Sequence, residues 1–162
     1  MTINVGDRLP SVTLRYVTPE GPKEVSTDDF FRGKKVVLFA VPGAFTPACS
    51  QRHLPGFVEK ATDIKAKGVN EIACVAVNDA AVIGAWGRDQ KTEGKVTMLA
   101  DGSSDFARAL GLEVDLSRAG LGIRSKRYSM LVDDGVVKSL NVEQQPAQVE
   151  ASSAEAMLRA LG

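Results

Sequence analysis

Cysteine and histidine are scarce in this chain. Its 162 residues include two cysteines, Cys49 and Cys74, and one histidine, His53. Two cysteines are too few for a scaffold held by disulfides. Together with one histidine they also make a poor ligand set for zinc. We therefore expect neither a structural disulfide nor a metal site.

The sequence also lacks an excess of charge and a long apolar run. Lys+Arg and Asp+Glu number 20 each, so the formal net charge of +0 does not favour nucleic acid or an anionic membrane as partner. No apolar stretch approaches the roughly 20 residues that cross a bilayer. Residues 1–7 do not pair a basic region with an apolar one, which argues against a secretory signal. We expect a cytoplasmic protein, with an organelle form whose transit peptide has been removed as the open alternative.

What the chain does contain is the composition of an ordinary globular protein. Hydrophobic residues make up 44% and charged residues 25% of it. The length suits one domain with a full hydrophobic core, spanning residues 1–162.

The order of predicted elements indicates an α/β fold with a central mixed sheet. An N-terminal β-hairpin is predicted at 11–17 and 23–26, followed by a short helix capped by Thr27. The other predicted strands are 34–41, 71–77, 95–100, 127–132 and 136–142, the last two joined by a turn at 133–135. The predicted helices are 49–67 with a bend at Pro55, 80–91, one capped by Ser103 and Ser104 that ends at 110, and 152–161; residues 115–126 are predicted as a loop. The βαβ order implies parallel strands with flanking helices, as in a thioredoxin-like fold.

The segment between the first central strand and the following helix concentrates turn-forming residues. It reads Pro42-Gly43-Ala44-Phe45-Thr46-Pro47-Ala48-Cys49-Ser50. Pro42 and Gly43 end the strand, and Pro47 suits a first helical turn because its missing N–H costs nothing there. Cys49 is therefore expected in that turn, where unpaired N–H groups and the helix dipole favour the thiolate, the nucleophilic form of cysteine.

This segment resembles the P-x-x-x-T-x-x-C motif of peroxiredoxins. It has the PGAFTPxCS form of the type II, atypical group, which includes the plant-type enzymes and the mammalian atypical two-cysteine form. Further blocks similar to that group follow in the same order, at 51–57, 75–79, 124–130, 134–135 and 141–143. The resemblance implies reduction of hydrogen peroxide and alkyl hydroperoxides by a thiol, without a cofactor. It also implies a homodimer formed through the active-site edge.

The resemblance assigns roles to four residues. It implies that Cys49 is the peroxidatic cysteine, that Thr46 and Pro42 are the other fixed positions of the motif, and that Arg127 is the active-site arginine. The Thr46 hydroxyl can donate and accept a hydrogen bond, which suits a bound hydroperoxide. The Pro42 ring can shield the thiolate from water. Two alternatives stay open: Thr46 as a helix cap only, and Arg127 as a surface residue, with the active-site cation then one of Arg118, Arg124 and Lys126.

The remaining histidine and cysteine have weaker claims on the chemistry. His53 lies one turn after Cys49 and could act as a general base, but the favoured interpretation is that it fixes the helix by hydrogen bonding. Cys74 falls within a strand and is interpreted as a small buried hydrophobe, whereas Cys49 is expected to open on a solvent-reachable pocket.

The reductant is expected to be an external thiol. Residues 150–154 lack the resolving cysteine that the atypical two-cysteine relatives carry in their C-terminal region. Glutaredoxin with glutathione, or thioredoxin, is then the predicted partner. Two other classes of function remain as alternatives, a thioredoxin-like disulfide reductase and a non-catalytic redox sensor. The first is disfavoured because Thr46 stands where a C-x-x-C motif needs a second cysteine.

Overall fold

The structure is a computed structural model that describes residues 2–162. Its strands are β1 (Thr13–Thr18), β2 (Gly21–Ser26), β3 (Lys35–Val41), β4 (Glu71–Ala76), β5 (Thr97–Ala100), β6 (Glu113–Asp115), β7 (Ile123–Ser125), β8 (Tyr128–Asp133) and β9 (Val136–Val142). Its helices are α1 (Thr27–Phe31), α2 (Leu54–Glu59), α3 (Ala61–Lys65), α4 (Ala80–Asp89), α5 (Asp105–Leu110) and α6 (Ala154–Leu161). A π-helical turn, Cys49–His53, runs directly into α2, and a short 3₁₀ turn covers Ser117–Ala119.

Seven strands form one mixed sheet, in the order β2-β1-β5-β4-β3-β8-β9. The central strands β3, β4 and β5 are parallel, and β8 runs antiparallel to β3. Helices α2, α3, α4 and α6 pack on one face and α1 and α5 on the other. Because both faces are covered, the central strands are continuous apolar runs rather than alternating ones. The predicted α/β, thioredoxin-like architecture with an N-terminal β-hairpin is confirmed.

The predicted helix over 49–67 is interrupted rather than simply bent. Pro55 has no N–H to donate to the carbonyl four residues earlier, and the wide π-helical turn ends at His53, two residues before it. A second break falls at Lys60, whose φ of −98° and ψ of 11° separate α2 from α3. The irregular part of the helix therefore begins at Cys49. In a π-helical turn, successive side chains point in different directions from those of an α-helix.

Two helix caps differ from those predicted. Ser26, not Thr27, caps α1, since its Oγ accepts from the Asp29 N–H at 3.1 Å while Thr27 is buried. Helix α5 is capped by the Asp101 carboxylate, which accepts from the N–H groups of Phe106 and Ala107 at 3.0 and 2.9 Å. In both cases the capping side chain lies one to three residues earlier in the chain than predicted.

The predicted loop over 115–126 contains a small sheet. Strands β6 and β7 pair antiparallel there, with Val114 opposite Arg124. Three-residue strands are too short for a periodic pattern to reveal them in the sequence.

Strand register brings the segment after β3 together with the residue before β8. Ala40 on β3 pairs with Tyr128 on β8, so Arg127 lies at the end of the sheet where residues 42–48 leave it. At the same end Asn78, which follows β4, accepts from the Ala44 N–H at 2.9 Å. No helix among residues 2–162 combines the length and the apolarity needed to cross a bilayer.

Candidate active site

Cys49 lies in the first turn of the helix, as the sequence predicts. Helical backbone begins at Pro47, and the Ser50 N–H is the first to find a helical partner, the Thr46 carbonyl at 2.9 Å. Within residues 2–162, no backbone carbonyl accepts from the N–H groups of Ala48 and Cys49, which is the usual state of a helix start. These two groups are available to an anion.

The expectation that Cys49 opens on a solvent-reachable pocket is wrong. Its side chain is 0% exposed and belongs to the apolar cluster that also holds Phe39 and Leu54. The neighbouring motif residues Pro42 and Ala44 are buried as well, because the segment after β3 folds back against the sheet. No water-sized molecule contacts Cys49 in this conformation, so any peroxide requires this segment to move before it can meet the sulfur.

Arg127 is buried against Cys49. Its Nη2 donates to the Cys49 sulfur at 3.1 Å, its Nη1 to His53 Nδ1 at 2.9 Å and its Nε to the Pro146 carbonyl at 2.9 Å. No carboxylate in the described part of the chain forms an ion pair with this guanidinium. A buried cation without a counter-charge is costly, and the sulfur is the one of its three acceptors that can become an anion. The guanidinium is therefore placed to stabilise a negative charge at this sulfur.

The other cations do not reach the sulfur. Arg118 and Lys126 are exposed. Arg124 donates through Nε to the Leu121 carbonyl at 2.8 Å and through Nη1 to the Pro42 carbonyl at 3.3 Å. This second arginine thus holds the segment after β3, and Gly43 permits its approach, because a Cβ there would lie 2.9 Å from Nη1.

Thr46 and Pro42, the other two predicted site residues, differ in their surroundings. The Thr46 hydroxyl donates to the Gly43 carbonyl at 2.7 Å, and no backbone N–H among the described residues donates to it, so its side chain is not a helix cap. Its oxygen lone pairs are left to accept. Pro42 and Arg127 together line a cavity of about 280 Å³ that also borders Glu143 and Pro146.

Both nitrogens of His53 are engaged, and neither contacts the sulfur. Nε2 lies 2.9 Å from the Ser152 carbonyl, which can only accept, so Nε2 carries the hydrogen and Nδ1 accepts from Arg127. Burial above all, and then the charge of Arg127, lower the pKa of His53 from 6.5 to about 3. The ring is therefore neutral near pH 7 with no free nitrogen, a geometry opposed to the general-base alternative.

His53 does more than fix its own helix, and its partners could not be found from the sequence. Ser152, whose carbonyl contacts Nε2, and Glu143, whose carboxylate accepts from Ser152, lie about a hundred residues further along the chain and belong to no recognisable local motif. The one available indication was the similarity of the block 141–143 to the type II group.

Cys74 lies in the middle of β4, between Phe39 on β3 and Met98 on β5, and is 1% exposed. Burial, followed by the proximity of Cys49, raises the pKa of the Cys74 thiol well above its usual range. Both cysteines are free and lie in the apolar cluster on the same face of the sheet. Among residues 2–162, no three His, Cys, Asp or Glu side chains are grouped so that they could hold a metal ion.

Comparison with known proteins shows the family to which this chain belongs. The chain matches the Redoxin family over residues 4–158. It is 51% identical to the chloroplastic peroxiredoxin-2E of Arabidopsis thaliana, over 99% of this chain and 70% of that protein, and 46% identical to peroxiredoxin-2B of the same plant over 98% of each. The crystal structure of reduced Prx3 in complex with H₂O₂ from Vibrio vulnificus is 52% identical, with a TM-score of 0.94 over 99% of this chain and 100% of that one. The chain belongs to the peroxiredoxin family, in its type II group, and is a thiol-dependent peroxidase.

Proposed function

We propose that Cys49 is the peroxidatic nucleophile and that Arg127, Thr46 and Pro42 complete its active site. The observation that carries this proposal is the 3.1 Å hydrogen bond from Arg127 Nη2 to the Cys49 sulfur. A thiolate is the attacking form of cysteine, and a buried guanidinium with no carboxylate partner stabilises it. Cys74, by contrast, has no cation in hydrogen-bond contact among the described residues and its thiol is held protonated.

The first chemical step oxidises the sulfur. The Cys49 thiolate attacks one peroxide oxygen, the O–O bond breaks, and the second oxygen takes a proton and leaves as water or an alcohol, so that Cys49 becomes a sulfenic acid. Arg127 and the N–H groups of Ala48 and Cys49 stabilise the charge that develops on the oxygens. Thr46 Oγ1 accepts from the hydroperoxide O–H, and the Pro42 ring limits access of water to the sulfur.

The substrates are hydrogen peroxide and alkyl hydroperoxides. The similar Vibrio vulnificus protein was crystallised with H₂O₂, and the complete burial of Cys49 favours a compact peroxide over a branched one. We expect turnover to fall as the alkyl group of the hydroperoxide grows.

Two equivalents of an external thiol restore the enzyme. The first thiol displaces water from the sulfenic acid and forms a mixed disulfide with Cys49, and the second releases the cysteine as a thiol and leaves the reductant as a disulfide. Glutaredoxin with glutathione, or thioredoxin, is the proposed donor. The raised pKa of Cys74 supports this route, because a protonated thiol attacks slowly. Since Cys49 is buried, the first helical turn must open for a protein thiol to reach it.

The test is peroxide turnover measured in parallel with glutathione–glutaredoxin and with thioredoxin. Many peroxides consumed per chain with either donor support the proposal, and about one per chain supports the redox-sensor alternative. Rapid formation of a Cys49–Cys74 cross-linked peptide after one equivalent of peroxide, detected by mass spectrometry, would assign the resolving role to Cys74 instead.

We further propose a homodimer formed at the active-site edge. Phe45 supports the dimer, since its side chain is 52% exposed and lies 6.5 Å from the Trp86 ring between centroids. An exposed aromatic side chain beside a buried one is a candidate interface anchor. Sedimentation velocity of the protein and of Phe45→Ser tests the dimer, with a shift toward monomer expected in the variant.

We also propose a cytoplasmic location, which cell fractionation tests.

A further inference from the structure

The direction in which Arg127 points is determined by two contacts away from the sulfur. Its guanidinium is planar, so holding Nε and Nη1 also fixes the direction of Nη2. Nε is held by the Pro146 carbonyl and Nη1 by His53 Nδ1, both at 2.9 Å. The third nitrogen, Nη2, is thereby aimed at Cys49.

His53 can serve Arg127 in one tautomer only. If Nδ1 carried the hydrogen, two N–H donors would face each other, and the contact with Nη1 would be repulsive. The Ser152 carbonyl, 2.9 Å from Nε2, keeps the hydrogen on the other nitrogen. The charged groups that act on the ring are Arg127 and Glu143, and the rings of Phe39 and Phe57 pack beside it.

Glu143 holds Ser152 in place. One carboxylate oxygen, Oε2, accepts from the Ser152 N–H at 2.8 Å, the Ser152 hydroxyl at 2.5 Å and the Glu150 N–H at 2.7 Å. Burial alone would raise the pKa of Glu143, but the hydrogen bonds from Ser152 and Glu150 outweigh it and lower the pKa. The Glu143 N–H also donates to the Arg127 carbonyl at 2.9 Å. The anchor is thus ionised near pH 7 and is tied to the backbone of Arg127.

We propose that Glu143, Ser152 and His53 are positioning residues that hold the Arg127 guanidinium on the Cys49 sulfur. None of the three contacts the sulfur, and their effect on the peroxide reaction is transmitted through Arg127. This inference rests on the role of Arg127 proposed above and extends it to a chain of four residues from three separate parts of the sequence.

The kinetic test uses the second-order rate constant of Cys49 with hydrogen peroxide. Stopped-flow fluorescence can follow it, because the single tryptophan, Trp86, donates to Ser50 Oγ at 2.9 Å, next to Cys49. We expect His53→Leu to react about tenfold more slowly, which corresponds to about 1.4 kcal/mol of lost transition-state stabilisation. His53→Gln should stay within about threefold of the parent, because its amide offers both an acceptor and a donor.

Ser153→Ala is the matched control. Ser153 adjoins Ser152 and caps α6 by accepting from the Ala156 N–H at 3.1 Å, but it makes no contact with His53 or Arg127. Its loss is expected to lower stability and leave the rate constant unchanged. An equal loss of rate in Ser153→Ala would mean that stability, not positioning, governs the reaction.

A double variant separates the positioning inference from the proposed active site. If His53 acts through Arg127, adding His53→Leu to Arg127→Gln causes no further loss of rate. Losses that multiply would overturn the positioning role. Parent-like rates in Arg127→Gln would instead refute the proposed function of Arg127, whereas a slow Arg127→Gln with a parent-like His53→Leu would refute the positioning inference alone.

The tautomer of the single histidine gives a readout independent of rate. Nitrogen-15 NMR of the imidazole is expected to show a neutral ring protonated at Nε2 near pH 7. In Glu143→Gln we expect a mixture of tautomers together with a slower reaction, because the N–H and the hydroxyl of Ser152 then face an amide rather than a carboxylate. Glu150→Gln, on the same segment but exposed, should match the parent in both measurements. An Nδ1-protonated ring in the parent protein would overturn the inference.

Discussion

Arg127 Nη2 lies 3.1 Å from the Cys49 sulfur, although 78 residues separate the two side chains in the sequence. The pairing of β3 with β8 produces this proximity, since the register that places Ala40 opposite Tyr128 also brings Arg127 to the end of β3. Arg127 is buried, and a nearby anion lowers the free-energy cost of burying its charge. The sulfur of Cys49 is the group in contact with this guanidinium that can supply the anion.

The two cysteines should behave differently on substitution. Cys49→Ser is expected to abolish peroxide turnover, because a serine hydroxyl is not ionised at neutral pH. Cys74→Ser should keep most of the turnover with an external thiol, since Cys74 is a buried thiol of raised pKa. The measurement is peroxide consumption with glutathione and glutaredoxin, with thermal stability followed in both variants. Comparable losses in the two folded variants would refute the assignment of the nucleophile.

Substitution of Arg127 should slow the reaction with hydrogen peroxide more than substitution of Arg124. Arg127→Gln removes a hydrogen bond to a charged acceptor, worth about 1.5–3 kcal/mol, so the reaction with hydrogen peroxide should slow by roughly ten- to hundredfold. Arg124→Gln keeps an amide that can donate to the Pro42 carbonyl, and we expect it to slow the same step by less than about threefold. Rapid-mixing kinetics on both variants decides between them, and the reverse order of sensitivity would transfer the active-site role to Arg124.

The rate of reaction with hydrogen peroxide should depend on the hydroxyl of Thr46 rather than on the shape of its side chain. Thr46→Val has nearly the same volume but cannot donate to the Gly43 carbonyl or accept from a peroxide, and it should react about tenfold more slowly, a loss of about 1.4 kcal/mol. Thr46→Ser keeps the hydroxyl and should remain close to the parent rate. Comparing the two variants with hydrogen peroxide tests the role, which an unaffected Thr46→Val would refute.

His53 should make the protein less stable as the pH falls. Well above pH 6.5 the ring is neutral in the folded and unfolded states and contributes no pH dependence. Between pH 6.5 and about 3 the unfolded chain binds a proton that the folded protein excludes, so the free energy of unfolding falls by up to about 1.4 kcal/mol per pH unit. Glu143 adds to this trend at lower pH, because its folded pKa is lowered and its stabilisation is lost as it is protonated.

Urea unfolding of the parent and of His53→Gln at several values between pH 7 and pH 5 measures this effect. The variant lacks the titrating ring, so its free energy of unfolding should depend less steeply on pH in that interval. Equal slopes would show that His53 does not titrate as its burial requires.

The amino-acid sequence by itself was enough to predict the family, the α/β fold and the place of Cys49 at a helix start. Each depends on short local patterns and on their order along the chain. Pro47 begins the helix, Cys49 follows two residues later, and the apolar runs at 35–41 and 71–76 alternate with helical patterns. Local steric and hydrogen-bonding preferences act over such distances whatever the rest of the chain does.

The resemblance implied Arg127 as the active-site cation, but only the tertiary structure shows its contact with the sulfur and what holds it there. Arg124 and Arg127 are three residues apart, and nothing local distinguishes them. The register of β8 on β3 sends one to Cys49 and the other to the Pro42 carbonyl. The burial of Cys49 and the contact of His53 with Ser152 could not be predicted from the sequence either. Contacts between distant segments follow from the way the sheet and helices pack and not from the spacing of residues along the chain.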